Sequence, residues 1–156
     1  GFVVWVCDNR SASNRGTASG HHAYRRSSSR RWPHGSCPPS KAWKVGIVGA
    51  PVTDYRLYDS IYTERFMGLP KDNPEGYAAT RIMDKAKDVE GALLLFHGTL
   101  DDNVHPQNTI QLVDALQKAG KDFELVLLPG AGHGPRTPEQ VWFRYWKTWQ
   151  FLKKNL

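Results

Sequence analysis

Short apolar runs recur along this chain at spacings that suit buried strands. Residues 2–7 (FVVWVC) are β-branched and aromatic and end at the polar Asp8 and Asn9, which predicts a strand buried on both faces. Further runs of this kind lie at 45–51 (VGIVGAP), 93–98 (LLLFHG) and 123–128 (FELVLL). The pattern therefore predicts four strands.

A helical period separates the last two of these strands. The segment ends at Gly120, a residue suited to a left-handed helix end, and its apolar positions have the spacing i, i+3, i+4 and i+7. These positions are Leu112, Ala115, Leu116 and Ala119. We predict an α-helix here, and strand and helix in alternation predict an α/β fold with a parallel sheet in the second half.

The last helix is predicted to carry a wide aromatic face. Thr137 and Gln140 form a capping box, with Pro138 at the first helical position. The following residues repeat the helical spacing with aromatic side chains: Trp142, Tyr145, Trp146 and Trp149. A face of this kind requires burial, so we expect it to pack on the sheet. The alternative is an interaction face, which would favour association.

The middle of the chain has weaker helical signals. Residues 54–70 carry aromatics without a clean period, so we expect short helical turns packed over the core. Asn73 is a suitable N-cap and Pro74 a suitable first helical residue, which predicts a helix that runs to about Lys87.

Composition supports one globular domain over residues 1–156, since 40% of the residues are hydrophobic and 12% aromatic. No apolar stretch approaches the roughly 20 residues that span a bilayer, and no signal peptide is indicated. The chain begins at Gly1 directly in strand-like sequence, so we expect it to start inside a larger protein. Cys7 and Cys37 indicate neither a metal nor a disulfide framework, and cytoplasmic, periplasmic and secreted settings all stay open.

Segment 10–40 differs from the rest of the chain. It is rich in Ser, Arg, Gly, His and Pro, has no period, and holds most of the surplus behind the net charge of +6. We expect an irregular or disordered insert. Clustered arginines can bind nucleic acid, but there is little aromatic interleaving and no recognised binding fold, so a solvated loop is the preferred interpretation. A deletion or reading-frame slip would also explain the abrupt change in composition.

An acid and a histidine follow two neighbouring predicted strands. Asp101 lies just beyond the strand at 93–98, and His133 just beyond the strand at 123–128. Open parallel sheets present their functional residues at the carboxyl ends of the strands. The pairing therefore favours hydrolase chemistry.

Four segments in this order resemble the C-terminal catalytic domain of the prolyl oligopeptidase family of serine peptidases, on its dipeptidyl peptidase IV branch. They are GFVVWVCDNR, APVTDYRLYDSIYTERFMGLP, HGTLDDNVHPQNT and GAGHG. The resemblance implies an α/β-hydrolase fold and hydrolysis of peptide bonds near proline, without a cofactor or catalytic metal. It also implies that the last helix is a candidate homodimer contact.

The resemblance assigns roles to particular residues. Asp101 matches the triad acid and His133 the general base. Asn103 matches a position that helps bind the substrate backbone near the scissile bond, and Val104 a position near the proline pocket.

The nucleophile of the family is missing from the sequence. No G-x-S-x-G turn occurs in the 156 residues, and the segment RRSSSRRWPHGSCPPS is too short for a strand, an elbow and a helix. Ser36 follows a glycine and is a candidate remnant, but Pro38 and Pro39 oppose the helix that an elbow requires. We therefore expect a partial α/β-hydrolase domain that is inactive as it stands. The alternative is a non-catalytic pseudo-enzyme that acts by association.

The residues around Asp101 have a competing interpretation, which is a metal site. Imidazole and carboxylate groups suit zinc or manganese, and the loop contains His97, Asp101, Asp102 and His105. Their spacing matches no familiar motif, so we expect His97 and Asp102 to make structural hydrogen bonds in the loop.

Overall fold

The computed structural model describes the backbone of Phe2–Val6 and residues 43–156 in full. The strands are β1 (Phe2–Val6), β2 (Val45–Gly49), β3 (Ala92–Gly98) and β4 (Glu124–Leu128), and they lie in the order β1-β2-β3-β4. β2, β3 and β4 are parallel, and β1 is antiparallel to β2. The predicted α/β fold with a mostly parallel sheet is confirmed. The burial of the β1 side chains and the insert at 10–40 lie outside the described residues.

The helices are α1 (Ser60–Met67), α2 (Pro74–Ala79), α3 (Gln107–Lys118) and α4 (Pro138–Asn155), with 3₁₀ helices at Tyr55–Leu57 and Ile82–Asp88. α3 matches its prediction, because Leu112 and Leu116 are buried and Gly120 follows the helix with φ +63°. Within the described ranges, no helix is long and apolar enough to cross a membrane.

The core lies on both faces of the sheet. Leu93 and Leu95 of β3 join one cluster with α3 and the 3₁₀ helix at Ile82–Asp88. Leu94 and Phe96 join the other cluster, which includes Phe151 of α4. Successive side chains of a strand point to opposite faces, so the unbroken run LLLF supplies both clusters at once. β3 is thus held in the core on both of its faces.

The predicted burial of the α4 aromatic face is wrong. Trp142, Tyr145 and Trp149 are each at least 60% exposed, and Trp146 is 42% exposed. α4 meets the sheet near its C-terminus, through Phe151 and Leu152. Trp142 and Trp146 instead stack on each other, with ring centroids 6.0 Å apart. Helical period identifies an apolar face, but it does not supply a surface to cover that face.

Two further predictions need correction. The helix that begins at Pro74 ends at Ala79 rather than near Lys87, because the Thr80 hydroxyl bonds the Tyr77 carbonyl and Ile82 N–H turns to donate to Thr53 O at 2.9 Å. The short helical turns expected in 54–70 are present. However, the α1 helix buries Thr63 alone and leaves most of its apolar side chains exposed.

Candidate active site at the carboxyl ends of β3 and β4

The acid lies in a tight turn directly after β3. Asp101 is buried, and its Oδ1 accepts hydrogen bonds from the backbone N–H groups of Asn103 (3.1 Å) and Val104 (2.9 Å). The Asp101 N–H donates to Gly98 O at 3.3 Å. An aspartate that bonds the backbone two and three residues ahead is a local turn former. The sequence DDNV therefore folds around the Asp101 carboxylate and fixes its orientation.

His133, the predicted base, lies in the loop after β4, and that loop is hydrogen-bonded to the loop that holds Asp101. Thr99 N–H donates to Leu128 O at 3.1 Å and Leu100 N–H donates to Ala131 O at 2.9 Å. In the reverse direction, Gly130 N–H donates to the Thr99 hydroxyl at 2.9 Å. The parallel ladder of β3 and β4 thus continues into both loops, so the two loops hold a fixed relative position.

Gly98 permits this close approach. A Cβ at position 98 would overlap the backbone carbonyls of Ala131 and Gly132. Only a residue without a side chain allows the chain before His133 to lie against the end of β3. The glycine of the HGT segment is therefore required by the contact between the loops, not by an unusual φ.

The predicted acid and base meet. His133 Nδ1 lies 3.0 Å from Asp101 Oδ2. The Asp101 side chain is fully buried, whereas the His133 side chain is 32% exposed. Because a carboxylate only accepts, Nδ1 carries the hydrogen of this bond, and the basic lone pair of the neutral ring is on Nε2. The ring is thus oriented for proton transfer at Nε2.

The two other predicted site residues flank the acid. Val104 is buried, whereas Asn103 is exposed and its Oδ1 accepts a hydrogen bond of 2.9 Å from the Tyr58 hydroxyl. Partial burial and the neighbouring Asp59 carboxylate raise the pKa of Tyr58, so its hydroxyl stays protonated as a donor. With Oδ1 held by Tyr58, the amide NH₂ is the group of Asn103 that can donate to a ligand.

An aromatic row beside Asn103 was not predicted from the sequence. Four rings follow one another with centroids 6.4, 5.7 and 4.9 Å apart. They belong to Tyr55, Tyr58, Tyr62 and Phe66. The i, i+4 spacing of the last three is a signal in the sequence, but it does not reveal that the row borders the acid loop.

A buried polar contact holds this aromatic segment to the acid loop. Asn108 is fully buried at the start of α3, and its Oδ1 accepts from Thr53 N–H at 3.0 Å. Its Nδ2 donates to Leu57 O and His105 O. The Thr53 hydroxyl completes the contact by donating to Asn108 O at 2.9 Å. Asn108 therefore fixes where the aromatic row lies relative to Asp101.

The candidate metal ligands do not converge on one point, and both histidines have other hydrogen-bond partners. The buried His97 contacts Thr109 Oγ1 and Val104 O through its two ring nitrogens, which confirms its expected structural role. Asp102 is exposed and its side chain has no hydrogen-bond partner within residues 43–156, so the structural role expected of it is wrong. His105 Nδ1 accepts from Gln107 N–H. Within residues 43–156, no cluster of His, Cys, Asp and Glu side chains could hold a metal ion. Ser36 and the arginines of 10–40 lie outside the described residues.

Known proteins match more than half of this chain. The profile of the prolyl oligopeptidase family matches residues 38–156. A probable dipeptidyl-aminopeptidase B of Neurospora crassa is 46% identical over 98 residues, which are 60% of this chain and 10% of that protein. The corresponding protein of Phaeosphaeria nodorum is 45% identical over 95 residues, with the same coverage of both chains.

A solved structure has a similar fold over most of this chain. The crystal structure of Porphyromonas gingivalis dipeptidyl peptidase 4 superposes with a TM-score of 0.73 and 39% sequence identity. The match covers 75% of this chain and 17% of that one. This chain thus spans about a tenth of the length of the curated relatives that it matches.

Proposed function

Because this chain belongs to the prolyl oligopeptidase family, we propose that Asp101 and His133 are the acid and base of a serine-peptidase site. The observation that carries the proposal is the 3.0 Å contact between His133 Nδ1 and the buried Asp101 Oδ2. The proposed reaction of the whole protein is hydrolysis of peptide bonds near proline. The names of the relatives favour release of dipeptides from the amino end of a peptide.

In this mechanism His133 moves the proton and Asp101 holds the ring. His133 Nε2 takes the proton of an attacking serine hydroxyl and later gives it to the leaving amine. Asp101 keeps the hydrogen on Nδ1 and stabilises the imidazolium that forms. The hydrogen bonds to Asp101 Oδ1 from Asn103 and Val104 support this role, because they hold the carboxylate as an acceptor.

We propose that substrate binds along Asn103 and the aromatic row. The Asn103 amide, oriented by Tyr58, can donate to a carbonyl of the peptide backbone. The rings of Tyr58 and Tyr62 offer apolar surface beside it, which suits a ring such as proline. Val104 is 3% exposed, so it contributes little surface of its own. Asn108 supports this arrangement by holding the aromatic segment to the acid loop.

We further propose that residues 1–156 are one catalytic domain without its nucleophile, so that this chain does not turn over. No G-x-S-x-G turn occurs in the sequence, and loss of the nucleophile in a serine hydrolase costs on the order of 10⁶ in rate. A fluorophosphonate probe tests this part of the proposal. We expect no labelling of the folded protein, and labelling that disappears in Ser36→Ala would contradict the proposal.

The acid–base pair is tested by the protonation of the His133 ring. In the unchanged protein, ¹⁵N NMR of labelled histidine should show a hydrogen on His133 Nδ1. In Asp101→Asn the amide can donate to Nδ1 and shift the hydrogen to Nε2. The control is Asp102→Asn, the same change at the exposed aspartate next to Asp101. An Asp101→Asn protein whose His133 signals match those of the unchanged protein would refute the pair.

The second candidate function is association through α4. Its outer face exposes Trp142, Tyr145 and Trp149, a contiguous aromatic surface of the kind that marks contact sites. We propose that this face contacts a second copy of the chain. Sedimentation equilibrium should detect a dimer that is lost in the double variant Trp142→Glu, Trp149→Glu. A monomer at all concentrations, or a dimer that persists in the variant, would refute this function.

A further inference from the structure

A second histidine lies on the acid, and the proposed mechanism does not use it. His97 is the sixth residue of β3 and is 1% exposed, within a strand that is otherwise apolar. Burial of an imidazole is costly unless both of its nitrogens have partners. His97 Nδ1 lies 2.6 Å from the Thr109 hydroxyl and Nε2 lies 2.8 Å from Val104 O. Nε2 also lies 3.3 Å from Asp101 Oδ2.

The partners of His97 decide where its hydrogen lies. Val104 O and Asp101 Oδ2 can only accept, so Nε2 carries a hydrogen. The Thr109 hydroxyl can donate or accept, so it satisfies Nδ1 whether or not that nitrogen is protonated. An N–H is therefore directed at the acid turn in either protonation state of the His97 ring.

His97 closes the turn that holds the acid. Val104 N–H donates to Asp101 Oδ1, while Val104 O faces His97 Nε2. Both polar groups of the Val104 backbone are thus used to hold Asp101 in place. At the carboxylate itself, the two backbone donors contact Oδ1 and the two histidines contact Oδ2. Rotation of the carboxylate would break contacts on both oxygens.

We infer that His97 is a positioning residue for the catalytic acid, which directs Asp101 Oδ2 at His133. This inference rests on the proposed function, since it assigns His97 a task within the acid–base pair. Thr109 supports His97, because its hydroxyl bonds His97 Nδ1 and fixes the rotation of the ring. His97 is 1% exposed and contacts Asp101 Oδ2, so it acts through Asp101.

The test is the solvent exchange of the His133 Nδ1 hydrogen, measured by NMR of the histidine-labelled protein. His97→Leu removes the ring with little change in volume. We expect exchange at least about tenfold faster, because one buried hydrogen bond of this kind is lost. His97→Gln places an amide NH₂ near the former Nε2 and should restore most of the protection. The matched control is His105→Gln, an exposed histidine of the same loop.

A milder variant covers the case in which His97→Leu does not fold. Thr109→Val removes the hydroxyl with nearly constant shape and frees the His97 ring to rotate, so exchange should rise by about threefold or more. A folded His97→Leu or Thr109→Val protein with the exchange rate of the unchanged protein would overturn the inference. So would a His97→Gln protein that exchanges as fast as His97→Leu. If the unchanged protein lacks a protected Nδ1 hydrogen on His133, the proposed pair itself fails, which distinguishes the two failures.

Discussion

Two regions differ in the kind of side chain that they bury: the loops at the carboxyl ends of β3 and β4, and the outer face of α4. In the loops and at the adjoining start of α3, polar groups such as Asp101 and Asn108 are buried and have several hydrogen-bond partners each. On α4, large aromatic rings are exposed to solvent. Buried polar groups are costly without partners, so the loops are specified by this chain alone. Most of the aromatic face is uncovered within the described residues, so it contributes little to holding α4 in place.

Two neighbouring aromatic residues of α4 differ greatly in burial. Phe151 is 4% exposed in the core, whereas Trp149, two residues earlier, is 60% exposed. Phe151→Ala should lower the free energy of unfolding by about 4 kcal/mol, and Trp149→Ala should change it by no more than about 0.5 kcal/mol. Urea unfolding followed by circular dichroism measures both. Similar losses for the two variants would show that the aromatic face is buried.

The second test concerns the contact between the two loops. Gly98→Ala should destabilise the fold by about 3 kcal/mol, because the new methyl group overlaps the Ala131 and Gly132 carbonyls. It should also lengthen the bond between Asp101 and His133, which NMR of the His133 ring detects. Gly134→Ala is the control, since a Cβ there meets nothing within 4 Å. An unperturbed His133 signal in Gly98→Ala would mean that the close contact of position 98 with Ala131 and Gly132 does not position the loops.

The third test removes the buried polar contact under the aromatic row. Asn108→Ala leaves Thr53 N–H and Leu57 O without a partner, at a cost of about 2 kcal/mol in the free energy of unfolding. Gln117→Ala on the exposed side of α3 should cost no more than about 0.5 kcal/mol. Thermal and urea unfolding distinguish them. Equal stability of the two variants would show that Asn108 does not hold the aromatic segment in place.

The smallest effect is expected where α4 meets β4. Hydrogen bonds from Lys147 (2.6 Å) and Lys154 (3.0 Å) lower the pKa of Glu124 below its ordinary 4.5. The stabilisation is therefore present above that ordinary value and is lost as the pH falls through the lowered pKa. Glu124→Gln should cost about 0.5 kcal/mol at neutral pH, because the pair is partly exposed.

At strongly acidic pH the unchanged protein and Glu124→Gln should become equally stable. The comparison variant is Glu90→Gln, an exposed glutamate two residues before β3, which should follow the unchanged protein throughout. A stability difference for Glu124→Gln that persists in acid would exclude the ion pairs as its source.

The sequence predicted the parts of the fold that depend on local pattern. The apolar runs predicted β2, β3 and β4, and the caps at Gly120 and Thr137 predicted where α3 ends and α4 begins. The meeting of Asp101 and His133 was also predictable, because parallel neighbouring strands bring their carboxyl ends together.

The parts that could not be predicted depend on contacts between distant segments. The helix ends after Ala79 because Ile82 N–H donates to Thr53 O, and no residue near position 80 indicates this distant acceptor. Asn108 is an ordinary polar residue in a helical sequence, and its burial depends on Thr53, 55 positions away. The exposure of the α4 aromatics depends on what covers the helix, which its own period does not encode.

The closeness of the acid and the base along the chain has a consequence for the order of folding. Asp101 and His133 are separated by 32 positions and are joined by one strand–helix–strand unit, β3, α3 and β4. Contacts of short sequence separation form early, since they require little loop closure. The contact between Asp101 and His133 can therefore form as soon as this unit has folded, before contacts with more distant parts of the chain.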